Sequence, residues 1–528
     1  MHDRKDRLVR KGNYIQGSFI KPESVDGYIN CVNPGDRQDL LGRFPFSAAS
    51  VDDAVSHGRE ATTEWRKVGL NDRAGAIRRF RDKVSHYQDS IAILITRETG
   101  KPLWEAHHEV LDTLGDLDVL LDEGIDLLAP HVLDKNAGRT DFVPRGVVGL
   151  LCPYMPAFQL AAVQSAAAVL AGNAVVFKPS KFSPAVGQVV AETWDRCRMP
   201  RGVVHMVQGS GSVVGTRLAT HPGLDALVCT GSFKTAMGVR KALFRRPELP
   251  VVYQCGGKGI AVVLEDAELE NAVYEVMVGA FLTSGQRHNS TGRVIVHEAL
   301  YDAFVKELVH RSSRLNIGYG FEPTTFMGPL ISENYRTRYR KYLRALETKG
   351  HEMLLSGGAH RAPDRRGFYA SPAIVGVDWK KGSAFLNDEP PGPVLLVYKA
   401  KDAEEAATLH NQAVYRLVCS VFTRRKKKDL AAALEAFDTG SINVNRATIG
   451  QSMRLPSVGL GRASGGIPGA LALLRSLTHP RSRLVAVHQF DPSLAAPGTR
   501  WRESDIAETI GETDEVTQIK PADHYRNS

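Results

Sequence analysis

Between residues 147 and 229, apolar runs too short for helices alternate with stretches of helical length, and this alternation constrains the fold most. Val147-Val-Gly-Leu-Leu151 reads as a strand buried on both faces. The Ala-rich stretch 160–171 reads as a helix stopped by Gly172-Asn173. Strands are predicted at 174–177, 203–207 and 227–229, with a helix over 183–198 between the first two. Strands separated by helices return in the same direction, because a tight hairpin can only reverse the chain. The region therefore implies a parallel, doubly wound sheet. From about Ile260 a second α/β unit begins, with helices predicted over 266–283 and 299–315 around a strand at 294–296.

The chain has 528 residues, 43% of them hydrophobic, and a net charge of +9. That length supports roughly two to four domains. No stretch approaches the roughly 20 apolar residues of a membrane span, and the first residues lack the apolar core of a signal peptide. A cytoplasmic protein with no membrane partner is expected. The six cysteines, Cys31, Cys152, Cys197, Cys229, Cys255 and Cys419, are widely spaced with no C-x-x-C pair. Reduced, buried thiols follow, with neither a zinc site nor a disulfide framework. The basic run Arg424-Arg-Lys-Lys-Lys428 has no interleaved aromatics, so a solvated loop is expected and no nucleic-acid partner. The segment 493–528 reads as a flexible polar tail.

Several blocks carry a family resemblance. They include Arg97-Glu-Thr-Gly-Lys-Pro102, Ala171-Gly-Asn-Ala-Val-Val-Phe-Lys-Pro-Ser180, Cys229-Thr-Gly-Ser232, Met327-Gly-Pro-Leu-Ile-Ser332 and Gly285-Gln286 followed by Arg293. In order and spacing, from about Tyr14 to Phe490, these resemble the aldehyde dehydrogenase superfamily. Lys101-Pro-Leu-Trp-Glu-Ala106, Pro153-Tyr154 and Pro468 are most similar to the N-succinylglutamate semialdehyde dehydrogenases within it. The resemblance implies an α/β fold with a doubly wound dinucleotide-binding domain (1–126 and 144–256) and an α/β catalytic-type domain (257–474). It also implies a small oligomerisation segment (127–143 and 475–492). A late strand at 483–487 would pair with a partner subunit, giving a homodimer or homotetramer, or an assembly with an active paralogue.

Aldehyde oxidation in that family needs a thiolate nucleophile, a carboxylate base and an amide donor to the oxyanion. By the resemblance, the nucleophile position holds His288, the base position Gln254 and the donor position Met155. Imidazole adds poorly to an aldehyde and forms no thioester-like intermediate. An amide accepts no proton near neutral pH, which forfeits about 10²- to 10⁴-fold. A thioether donates nothing, which forfeits about 10²- to 10³-fold. Met155 is expected to be apolar filling, and Cys152 and Cys255 packed, inert thiols.

The resemblance also marks Lys178, Ser180, Lys181, Gly231, Ser232 and Glu389 as cofactor-binding. Lys181 stands where a ribose-binding carboxylate is usual, so NADP is expected to be preferred over NAD if either binds. Ala236 and Phe233 are expected to crowd the phosphate, and Pro390-Pro391 to replace an aromatic near nicotinamide. The leading expectation is a catalytically inactive family member that acts as an oligomeric partner or as a nucleotide or metabolite binder. The alternative is an NAD(P)-dependent oxidoreductase acting on a semialdehyde, or other chemistry with His288 as base and Arg287 or Lys181 anchoring an anion. No metal-ligand spacing surrounds His288.

Overall fold

The computed structural model describes residues 11–133, 138–362, 365–379 and 387–485, with a few positions between 491 and 499. Nearly all of the expected polar tail lies outside them. The chain divides into two compact units, one of Met1–Ala129 with Phe142–His479, the other of Pro130–Asp141 with Pro480–Ser528.

The larger unit holds two seven-stranded sheets. The first has five parallel strands, β1 (Val147–Leu151), β2 (Ala174–Lys178), β3 (Val204–Met206), β4 (Ala226–Gly231) and β5 (Val251–Cys255), in the order β5-β4-β1-β2-β3. Asn13–Ile15 and Ser18–Ile20 extend it antiparallel beyond β3. The second is built on parallel strands β6 (Gly259–Val263), β7 (Thr291–His297), β8 (Ala373–Gly376), β9 (Val394–Ala400), β10 (Val418–Phe422) and β11 (Ser441–Val444), ordered β8-β9-β7-β6-β10-β11. Val-rich strands buried along their whole length, such as β1, β2 and β6, are what helices on both faces of a sheet require.

Helix α2 (Ala157–Leu170) packs on the first sheet, and helix α1 (Leu103–Leu128) packs against α2. Small side chains let α2 be buried on nearly every face. It stops at Gly172, whose φ of +90° would drive a Cβ into Pro144 and Arg73. Fully buried Asn173 then ties the turn, accepting from Gly146 N at 2.9 Å and donating to Leu477 O at 3.0 Å. Helix α3 (Phe233–Ala242) follows β4, α4 (Leu269–Phe281) follows β6, and α5 (Glu333–Thr348) belongs to the second lobe.

Most elements fall within about three residues of the ranges read in the sequence, and two of the differences bear on the site and the smaller unit. The helix expected over 266–283 runs Leu269–Phe281, because Thr283 and Ser284 are left-handed (φ 56° and 54°). The late strand falls at Thr478–Leu484 rather than 483–487, and residues 486 and 487 lie outside the described residues. It lies in a three-stranded sheet with Gly138–Pro144 and His131–Val132. Ion pairing of Arg483 and Arg139 with Asp141 (2.8 and 2.7 Å) binds its polar side.

Candidate functional site

In the first sheet the strand order reverses between β1 and β4. A crevice forms outside the carboxyl ends of strands at such a switch point. The residues leaving those ends are Met155 after β1, Lys178 to Lys181 after β2, Gly231-Ser232 after β4 and Gln254 in β5. They line a cavity of about 470 Å³ together with Glu389 and His288 from the second lobe. All nine residues singled out in the sequence meet there. A second cavity of about 450 Å³ lies beyond, and Thr230, Gln254, Arg287 and His288 line both.

His288 reaches this partition through a tightly wound loop between α4 and β7. Thr283, Ser284 and Gly285 are successively left-handed, and a Cβ on Gly285 would strike the carbonyl of Gly392 at 2.4 Å. β-Branched residues rarely adopt that conformation, so contacts must impose it. Thr283 Oγ1 donates to Glu105, Ser284 Oγ donates to Gly328 O at 2.7 Å, and Gln286 Oε1 accepts from Ile331 N at 2.9 Å. Arg287 pairs with Glu105 at 2.8 Å and donates through Nε to Thr283 Oγ1 at 2.9 Å.

Lys101, just before α1, and Glu105 and Glu109 within it repeat every four residues, and their side chains are each about 1% exposed. Lys101 bonds Glu109, which also accepts from Phe158 N at 2.8 Å at the start of α2. An ionic chain thus joins the His288 loop to two helices of the first lobe. Arg287, which the alternative reading took as a possible anion anchor, is therefore already paired with Glu105. The four-residue repeat was visible in the sequence, but its partners are distant in the chain.

Gln254 and Thr230 are register partners on β5 and β4. Gln254 Oε1 accepts from Thr230 Oγ1 at 3.1 Å and from Gln164 Nε2 at 2.9 Å. Its Nε2 passes over Gly469, where a Cβ would lie only 2.2 Å away. The amide is locked in place, and Gln164 is a site residue that sequence reasoning missed. His288 Nδ1 is buried without a hydrogen-bond partner. Burial, with a smaller contribution from the Arg287 charge, lowers its pKa to about 4. Met155 is 4% exposed and offers no donor to the cleft.

Cys152 borders the first cavity and Cys255 the second; both are buried. Burial pushes Cys152 up to about 12 despite nearby Lys178, and Cys255 up to about 11 with help from Glu389. The other four thiols are buried as well. In the native protein at pH 7.5, none of the six should react with Ellman's reagent within minutes, whereas all six should react in denaturant.

The dinucleotide-side residues are arranged unevenly. Lys178 is 5% exposed and donates to Pro179 O (2.6 Å) and Gly209 O (3.1 Å), leaving one of its three protons for a ligand. Burial lowers its pKa to about 8. Ser232 caps α3 by accepting from Thr235 N at 3.2 Å. Lys181 and Lys234 are exposed on the cleft.

The expected crowding is absent. Ala236 is buried away from the cleft, and Phe233 packs edge-on against Tyr415 at 6.2 Å. Pro390 and Pro391 do line the cavity, but Tyr154, Phe182 and Tyr335 form an edge-to-face trio there, with centroids 5.5–5.8 Å apart. Buried Lys258, donating to Gly392 O at 2.7 Å, joins β6 to the same loop.

A doubly wound sheet with a switch-point crevice, closed by a loop from a second parallel sheet, defines a two-lobed α/β protein of the dehydrogenase type. Residues 19–482 match the aldehyde dehydrogenase family, and the chain belongs to that family. It is 31% identical over 475 residues to an N-succinylglutamate 5-semialdehyde dehydrogenase of Chromobacterium violaceum, covering 88% of this chain and 95% of that one. It is 30% identical over 457 residues to the alpha-ketoglutaric semialdehyde dehydrogenase of Bacillus subtilis, covering 86% and 93%. The crystal structure of an NAD-dependent aldehyde dehydrogenase from Sinorhizobium meliloti superposes with a TM-score of 0.86 at 26% identity, covering 93% of this chain and 97% of that one.

Proposed function

We propose that this chain is a family member that binds in its cleft but does not oxidise aldehydes. One observation carries the reading: among the described residues, the only thiols lining either cavity are Cys152 and Cys255, both buried and both shifted away from thiolate. His288, in the nucleophile position by resemblance, forms no thioester. Gln254, in the base position, is an amide held by two hydrogen bonds. Met155, in the donor position, is apolar.

The cleft residues fit a nicotinamide dinucleotide. A Cβ on Gly211 or Gly238 would meet nothing within 4 Å, so the crevice is open beside both. Lys178, Ser180, Gly231, Ser232 and Glu389 would hold it, with the N-terminal amides of α3 facing phosphate. The bound group would supply a hydride acceptor. Exposed Lys181 and Lys234 favour a 2′-phosphate, so calorimetry should give tighter binding of NADP than of NAD, and Lys181→Glu should reverse the order. The test of the main reading is purified protein with either nucleotide and a panel of semialdehydes. No aldehyde-dependent rise at 340 nm is expected, and a clear rise needing no second protein would end the proposal. An oligomer is part of the same reading, supported by exposed Val132, Leu133, Leu484 and Val485 on the smaller unit.

The alternative, His288 as general base, is favoured only by its unpartnered Nδ1. A pKa near 4 makes it a weak base at neutral pH. The same shift is testable through stability. In the unfolded chain the imidazole protonates near pH 6.5, in the folded chain only near 4. The unfolded state therefore takes up the extra proton within that window, and stability falls as pH drops through it. His288→Gln removes this loss, so its stability relative to the wild type should rise by on the order of 3 kcal/mol between pH 7 and 4.

A further inference from the structure

The second cavity, beyond the partition, has a lining of distinct chemistry. Asp112 and Asp116 stand four apart on α1 and share one face. Asp112 is at the exposed rim and Asp116 is half-buried. Asp116 accepts one hydrogen bond, from Gln159 Nε2 at 2.8 Å, and neither carboxylate has an ion-pair partner among the described residues. The cationic side chains on the wall are spoken for: Arg287 pairs with Glu105 and Arg454 with Glu123.

A second, independent observation points the same way. Gln164 is 3% exposed and lines this cavity, and its Oε1 accepts no hydrogen bond. Buried polar atoms are nearly always satisfied, so an orphan acceptor in a cavity wall is a position for a ligand or solvent donor. The lining therefore combines two carboxylates that make no ion pair with one unfilled acceptor, Gln164 Oε1, beside one unfilled donor, Gln451 Nε2, and the net negative charge favours a cation. A cavity of about 450 Å³ is the size of a small-molecule site.

We infer that this cavity takes a small organic ammonium compound, held by Asp112 and Asp116 at the mouth and offered the free acceptor of Gln164 further in. The inference rests on the reading that the cleft binds ligands, and it separates this chain from relatives named for dicarboxylic semialdehydes. Anions would meet two carboxylates, and the wall cation whose charge reaches Asp112, Arg287, is already paired with Glu105.

Calorimetry on the full chain at pH 8 tests this with 1,4-diaminobutane and with glutarate, an anion of similar length. The diamine should bind, and glutarate should bind at least about tenfold more weakly, since a charged hydrogen bond is worth about that much. Asp112→Asn with Asp116→Asn should weaken the diamine at least about tenfold while leaving the melting temperature in place. Asp112→Asn alone, at the exposed rim, should give a smaller loss and covers the case in which the double variant fails to fold. The proposal is overturned if glutarate binds as well as the diamine, if millimolar diamine gives no heat, or if the folded variants keep wild-type affinity. Aldehyde-dependent NADP reduction would instead sink the non-catalytic reading and leave the amine result standing.

Discussion

His288→Cys combined with Gln254→Glu and Met155→Asn should produce measurable aldehyde oxidation where the proposed function expects none. His288→Cys alone should give only traces of reduced cofactor. Adding Gln254→Glu should raise the rate about 10²- to 10⁴-fold, the usual worth of a positioned base. Adding Met155→Asn should contribute about 10²- to 10³-fold more, the worth of one oxyanion donor. The geometry favours the base step, because Thr230 Oγ1 and Gln164 Nε2 already donate to the atom that a carboxylate oxygen would replace. The readout is absorbance at 340 nm with NADP and a semialdehyde. A triple variant that binds NADP and still shows no turnover would refute the assignment of these positions.

Glu105→Ala should be the most damaging single truncation near the cleft. It would leave Arg287 without its carboxylate, Thr283 without its acceptor and Lys101 with one carboxylate instead of two. Removing one partner of a buried ion pair typically costs about 3–5 kcal/mol. Urea unfolding followed by tryptophan fluorescence should show a loss of that size. Lys181→Ala, at an exposed position, should stay within about 0.5 kcal/mol. Because Glu105 also imposes the left-handed turn at Thr283, nucleotide affinity should fall together with stability. A Glu105→Ala protein as stable as the Lys181→Ala protein would show that the ionic chain does not hold the loop.

The parallel core of the first sheet was legible because its signal is local. Unbroken Val and Leu runs such as β1, and Gly172-Asn173 after a small-residue helix, announce themselves within a dozen residues. The positions gathered in the crevice were legible for another reason: they sit at strand ends, where the family's motifs are spaced. The end of α4 was not legible. Nothing local marks Thr283 and Ser284 as left-handed, since the groups that force them there are Glu105 and the carbonyl of Gly328, far off in the chain. The inward or outward facing of α3 was lost similarly. Whether Ala236 or Phe233 faces phosphate depends on how the helix rolls against Tyr415, and spacing from Ser232 cannot report that. Gln164 escaped notice because an amide inside an Ala-rich helix carries no motif; only its register against Thr230 and Gln254 gives it meaning.

Because the wall made by Thr230, Gln254, Arg287 and His288 is common to both chambers, whatever occupies one must rearrange or restrain side chains that the other's occupant also touches. The two affinities are then thermodynamically reciprocal: the factor by which the first guest changes the second's dissociation constant equals the factor in the opposite direction. A protein holding a guest in each chamber would thereby work as a two-input coincidence detector.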